Sequence, residues 1–214
     1  MKRLPPYRRS GRYCARLGSL LTIGVGAFLI GAALLPADAR AGGPEQFVLE
    51  FNQRLSSQLG PMDLDEAERQ RRFAALLDTE VDLGAASALV LGSRWTSASM
   101  QDRAQFRVAF RDYLIRNFAA RIHGTGEHPL QITGLVPDGS SVTVSSEIAG
   151  IHAAALSVEW RLVRNGDDLW RLSNVTVAGL SMAAVMRAQF DAASDQDDTG
   201  LTPLVRLLRD QKRS

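Results

Sequence analysis

WRLSNVTVAGLSMAAVMRAQF, residues 170–190, decides how this chain is read. Trp170 to Val177 is rich in β-branched residues and reads as a strand. A tight junction follows at Gly179-Leu180-Ser181, and Met182, Met186 and Phe190 then recur on one stripe of a helix. Ser181 is placed to cap that helix, its hydroxyl accepting from backbone N–H groups that a first turn leaves without partners. Trp170 and Leu172 share one strand parity, whereas Val175 and Val177 take the other. A bulge near Ser173-Asn174 is therefore expected, and bulges re-aim strands beside cavities. The segment is apolar and holds little that could do covalent chemistry, which points to binding.

Upstream of it lie three more strands. Leu130 to Val136 ends at the turn Pro137-Asp138-Gly139. Ser141 to Ile148 alternates, with Val142, Val144 and Ile148 on one side and Thr143, Ser145 and Glu147 on the other. Ala155 to Arg164 sets Leu156, Val158, Trp160 and Leu162 against Glu159 and Arg161. Asn165-Gly166 is a hairpin signal leading into Trp170, so Trp160 and Trp170 are expected in one apolar neighbourhood.

Helices flank this meander. Pro44 suits an N1 position, with Phe47, Leu49, Phe51 and Leu55 before a stop at Gly60-Pro61. A second helix starts near Asp63 or Asp65 and carries Phe73, Leu76 and Leu77, and a short apolar piece, Leu83 to Leu91, ends at Gly92. Ser99 caps the longest helix, expected to run to about His123 and stop at Gly124. Phe106, Phe110, Tyr113, Leu114, Asn117 and Phe118 occupy one face of it, with Arg103, Arg107, Arg111, Asp112 and Arg116 mostly elsewhere. Met182–Ala193 and Thr202–Asp210 close the chain. The order predicts an α+β fold, a four-stranded antiparallel sheet wrapped by N- and C-terminal helices.

The beginning of the chain reads as an address. Lys2, Arg3, Arg8, Arg9, Arg12 and Arg16 precede an uncharged apolar run, Leu17 to Leu35. Pro36 and the small residues Ala37, Ala39 and Ala41 then offer cleavage after Ala39 or Ala41. The expectation is a secretory signal peptide over residues 1–41 and a single domain over 42–214, with an uncleaved membrane anchor as the alternative. Of 25 basic and 23 acidic residues in the 214-residue chain, the leader holds seven and one. The remainder carries 18 against 22, a net charge of −4 where the whole chain is +2. No nucleic-acid partner is expected of such a surface. Cys14, the lone cysteine, belongs to the leader, so the mature chain is expected to have no thiol or disulfide chemistry.

Catalytic and cofactor motifs are missing: no G-x-S-x-G, P-loop, G-x-G-x-x-G or H-E-x-x-H is present. His123, Glu127 and His128 flank a glycine-rich loop but form no compact metal motif. Asp195, Asp197 and Asp198 are spaced like the start of a calcium loop, yet the twelfth position is Arg206 where a bidentate Glu is needed. No metal site and no cofactor are expected. Cone-shaped isomerases share this outline of helices on a curved sheet and need a buried acid with a proton donor. Only Tyr113, Asp112 and Glu159 offer themselves, with Asp112 off the apolar stripe and Glu159 on the polar parity.

Three stretches, taken in order, carry a family likeness: FAALLDTEVDLGAASALVLGSRWTSAS (73–99), QFRVAFRDYLIRNFAARI (105–122) and the opening segment. The chain resembles the MlaC-type periplasmic phospholipid-binding proteins, also called the toluene-tolerance auxiliary family. Gly179-Leu180-Ser181, Arg187 and Gln189-Phe190 match the family pattern. Asn174 stands where the family usually has Asp, which removes the carboxylate from any salt bridge made there. Asn117-Phe118-Ala119 replaces a Tyr-Ala step, and Ile122-His123-Gly124 a Tyr-rich ending.

The resemblance implies a non-enzymatic carrier that holds phospholipid acyl chains in an apolar cavity between sheet and helices. It would work in the periplasm of a Gram-negative bacterium, between an outer-membrane lipoprotein complex and an inner-membrane ABC transporter. An acyl chain of ~15 methylenes at ~0.8 kcal/mol each represents on the order of 12 kcal/mol of transfer free energy, so lipid crosses water poorly unaided. On this reading Trp95, Phe106, Phe110, Leu114, Phe118, Val144, Val158, Trp160, Trp170, Val177 and Met182 line or border the cavity. Arg187 is either a phosphate contact or a solvated helix-face residue. The alternatives are a hopanoid-associated member of the same family, an NTF2-like enzyme, or a subunit that binds a partner protein through the same groove.

Overall fold

Helix starts follow the sequence closely. In the computed structural model, which describes residues 42–61, 63–121, 128–149, 155–164, 166, 168–193 and 200–210, α1 spans Pro44–Leu59 and α2 spans Glu66–Glu80. Helix α3 is Leu83–Leu91, α4 is Ser93–Ser97 and α5 is Met100–Phe118, continued by a 3₁₀ turn at Ala119–Arg121. Asp65, Asp82 and Ser99 are the N-caps of α2, α3 and α5, each accepting from a backbone N–H three residues on. Helix α4 is an addition to the expected set, one short turn after Gly92, whose φ of +58° reverses the chain.

The ends of these helices are served from elsewhere. Helices α1, α2 and α3 have no basic residue in their last turn, where exposed carbonyls and the helix dipole favour a cation. Arg69 and Arg72 of α2 reach back to α1, donating to the Leu59 carbonyl at 2.6 Å and the Gln58 carbonyl at 3.1 Å. Arg171 donates to the Thr79 carbonyl at the end of α2, at 2.6 Å. A planar five-donor guanidinium suits such carbonyl clusters better than an ammonium. Beyond residue 41 the chain is correspondingly rich in arginine, with a single lysine, Lys212.

The sheet is an antiparallel meander in the order β1-β2-β3-β4-β5. Its strands are β1, Leu130–Asp138; β2, Ser141–Ile148; β3, Leu156–Arg164; β4, Trp170–Val177; and β5, Leu180–Ser181. Among the described residues the sheet thus has five strands, not four. Ala178 and Gly179, at φ +49° and +79°, fold the chain back so that Leu180 pairs with Val177 before the last helices begin. Strand β1 also runs two residues past its expected end at Val136. Pro137 is accommodated there because β1 is an edge strand, where a missing N–H leaves no neighbour unsatisfied.

The parity switch in β4 is a bulge. Arg161 pairs with Asn174 and Leu162 with Leu172, leaving Ser173 as the extra residue. The Ser173 hydroxyl donates to the Arg161 carbonyl at 3.0 Å. The bulge lets Leu172 and Val175 both serve the inner face with Val144, Trp160 and Leu162, beneath Val48 and Phe51 of α1.

Helix α6, Met182–Ala193, and α7, Thr202–Asp210, complete the fold. Among the described residues no helix is long and apolar enough to cross a membrane. The leader expected over 1–41, Asn165 of the expected hairpin turn, His123 and the acids at 195–198 lie outside the described residues.

Candidate functional site: an apolar cavity

Among the described residues, buried apolar side chains form three clusters where a compact domain usually holds one contiguous core. The first joins α3, α5, α6 and α7 around Phe106, Phe110 and Phe190. The second lies between α1 and the inner face of the sheet, and the third gathers Leu59, Phe73, Leu76 and Ala119. All three contribute to the wall of one cavity of about 360 Å³. That is within the ~300–1,000 Å³ usual for small-molecule sites.

Helix α1 supplies Phe51 and Leu55, α2 supplies Phe73 and Leu77, and α3 supplies Ala86 and Val90. Phe110, Leu114 and Phe118 come from α5, four residues apart and therefore stacked on one helix face. Met182, Ala183 and Met186 come from α6, and Trp160 with the inner face of β4 closes the sheet side.

Ser173 and Asn174 are the polar members of this wall, and both are engaged within the fold. Ser173 holds the bulge as described. The Asn174 side-chain carbonyl accepts from the Ala183 N–H at 3.0 Å, and its amide donates to the Ser181 hydroxyl at 3.0 Å. The same hydroxyl accepts from Ala184 N–H at 3.3 Å, so Ser181 is the cap expected of it. Among the described residues no acid or base lines the cavity.

A second hollow of about 220 Å³ adjoins it, between the end of α5 and the outer side of α6. Phe118, Met182 and Met186 border both spaces. The hollow is otherwise mixed in character, with Tyr113, Asn117, Arg121, Val185 and Gln189 around it.

Of the residues singled out from sequence, Phe110, Leu114, Phe118, Trp160, Val177 and Met182 face the cavity together. The other five are placed elsewhere. Phe106 is wholly buried, its ring against Phe110 at 5.5 Å and Phe190 at 6.3 Å. Val144 and Val158 pack in the sheet core. Trp95 sits on α4 with the Arg103 guanidinium 5.4 Å from its ring. Trp170 shares the apolar neighbourhood of Trp160 but lies under Arg164, at 4.5 Å, beside a small polar hollow between α1 and β4.

The walls contributed by α1, α2 and α3 are not among the residues the sequence singles out. Their apolar periodicity was visible, but it did not separate residues packed on side chains from residues facing space. Met186 and Val175 carried the clearest missed signals, the first on the Met182 stripe and the second on the Val177 parity.

The residues of the isomerase alternative are not assembled. Tyr113 is buried against Phe190, Asp112 is exposed beside Arg111, and Glu159 is on the outer side of the sheet. Among the described residues no group of three His, Cys, Asp or Glu is placed to hold a metal. Arg187 is exposed on α6, as a helix-face arginine would be, but its guanidinium is not left to solvent alone. It crosses from α6 to the end of α3, donating to the carbonyls of Val90, at 3.1 Å, and Leu89.

Fold and cavity together define an α+β protein with an apolar chamber between an antiparallel meander and its covering helices. The family model described as MlaC protein matches residues 45–210, and the chain belongs to that family. Six chains of solved structures match it. One is the phospholipid-binding protein from Ralstonia solanacearum in complex with a phospholipid, at a TM-score of 0.64 and 18% identity, covering 78% of this chain and 96% of that one. The likeness shows a shared fold. No curated protein matches the chain significantly.

Proposed function

We propose that this protein is a periplasmic phospholipid carrier, secreted by a cleaved leader. It takes lipid at one membrane and delivers it at the other, between an outer-membrane lipoprotein complex and an inner-membrane ABC transporter. The observation that carries the reading is the cavity of about 360 Å³, lined by all three core clusters, with its polar wall residues held by internal hydrogen bonds. Family membership and the phospholipid held by the Ralstonia protein of the same fold support it.

The physical task matches the residues. Each methylene hidden from water is worth about 0.8 kcal/mol, so an apolar wall supplies the retention and no reactive group is required. Protein purified from cells expressing the full chain is expected to yield phospholipid on solvent extraction and mass spectrometry. Replacing Leu114 by Trp, which fills the chamber from its α5 wall, is expected to lower that yield several-fold while the protein stays folded. Protein that carries no lipid and takes none from vesicles overturns the proposal, and a hopanoid-class extract redirects it to the hopanoid-associated branch.

A further inference from the structure

Resting on the carrier reading, we infer that the hollow beside the cavity is a phosphate site, with Arg121 as the group that holds the phosphodiester of a lipid whose tails occupy the chamber. Arg187, Arg116 and Arg103 are committed to carbonyls of α3, α7 and α4, and Arg111 to Asp78. Among the described residues, Arg121 is the cation that borders the hollow; it is exposed and has its guanidinium 6.0 Å from the ring of Phe118.

Phe118 gives the site its geometry, because it borders both the chamber and the hollow, as do Met182 and Met186. A lipid with its tails against one side of these three residues has its glycerol region beside them. Its phosphate then falls in the next space, where Arg121 is. Met side chains are unbranched and adaptable, so a boundary of two Met and one Phe can part around such a linker. Gln189 adds an exposed amide donor to the same hollow. Among the described residues no carboxylate borders either space. Arginine supports parallel hydrogen bonds to phosphate oxygens, and charge-assisted bonds are the strong ones.

Arg121 also stands in the final turn after α5, where any cation interacts favourably with the helix dipole. The experiment separates that role from recognition. Protein purified from cells expressing the full chain is stripped of lipid and offered phosphatidylglycerol or diacylglycerol, which has tails and no phosphate, each dispersed in the same phosphate-free detergent. Arg121→Gln is expected to reduce phosphatidylglycerol retention about tenfold, the scale of one charge-assisted hydrogen bond, with diacylglycerol changed less than about twofold. Arg121→Lys, which keeps the charge and the dipole interaction, is expected to recover only part of the loss.

Equal losses for both lipids, or none for either, overturn the phosphate assignment and leave the carrier reading standing. Wild-type protein that retains neither lipid overturns the carrier reading itself. Displacement of phosphatidylglycerol by millimolar inorganic phosphate would make the hollow a free-anion site and overturn the lipid assignment.

Discussion

The side-chain carbonyl of Asn174 accepts the backbone N–H of Ala183 at 3.0 Å, tying the bulge of β4 to the first turn of α6. Both residues are in the cavity wall, so this one hydrogen bond sets the spacing between its sheet side and one of its helical sides. It also relieves a helix N-terminus that the Ser181 cap satisfies only in part.

Asn174→Ala removes that bond and the donor to Ser181. It is expected to cost about 1–2 kcal/mol, the range of a lost cap, read as a lower urea midpoint at unchanged slope. Asn174→Asp is expected to retain the stability at neutral pH, since a carboxylate still accepts from Ala183 and favours a helix N-terminus, while the Ser181 hydroxyl can turn to donate. Equal midpoints for wild type and Asn174→Ala would remove the bond from any structural role.

Ser146 is the polar residue on the apolar parity of β2, and it is 2% exposed. Its hydroxyl accepts from the Trp160 indole at 2.8 Å and donates to the Val158 carbonyl at 3.1 Å. Ser146→Ala leaves a buried indole N–H without a partner, so a loss of about 1–3 kcal/mol is expected, together with a shift in tryptophan emission. An unchanged spectrum and midpoint would show that the indole is served in another way.

Arg187 and Gly92 form a pair across α3 and α6. A Cβ on Gly92 would lie 3.3 Å from the guanidinium carbon, at a φ of +58° that disfavours side chains. Gly92→Ala is expected to cost about 1–2 kcal/mol from the backbone conformation alone. Arg187→Lys loses the fork that reaches two carbonyls, and destabilises as well. Because both changes disturb one contact, their combination is expected to cost less than the sum, and strict additivity in a double-mutant cycle would count against the coupling.

Asp78 of α2 receives two hydrogen bonds from Arg111 of α5, at 2.6 and 2.7 Å, which hold its carboxyl below the usual 3.8 despite some burial. A depressed folded value means the contribution is complete above the ordinary aspartate range and is lost as pH falls through the folded value. The Asp78 side chain is 49% exposed, so solvent screening keeps the expected cost of Asp78→Asn to less than about 1 kcal/mol at pH 7. The difference from wild type is expected to shrink in high salt and to vanish at strongly acid pH, as followed by thermal unfolding. A difference that grew with acid would show that Asp78 does not stabilise the fold through its ionised form.

Much of the architecture was present in local chemistry. Pro44, Asp65, Ser99 and Ser181 mark helix starts because capping involves residues a few positions apart. The bulge at Ser173 was readable because strand parity has period two, and a slip of one residue shows at once. Helix α4 and strand β5 escaped because each is too short to express a period. Trp95 and Leu180 are half-buried and exposed residues on them, decided by neighbours distant in sequence.

The amino-acid sequence by itself determined the order of elements, their buried faces and the α+β class, all consequences of spacing along the chain. Only the tertiary structure decided which buried faces meet side chains and which meet space. Phe106 and Phe110 are alike in sequence, one turn apart on the same stripe, yet Phe106 is packed among aromatics and Phe110 borders the chamber. Periodicity reports that a side chain leaves water. Whether it then finds a neighbour or a void depends on how Phe51, Phe73, Phe110 and Trp160, drawn from four separate elements, fill the volume between them.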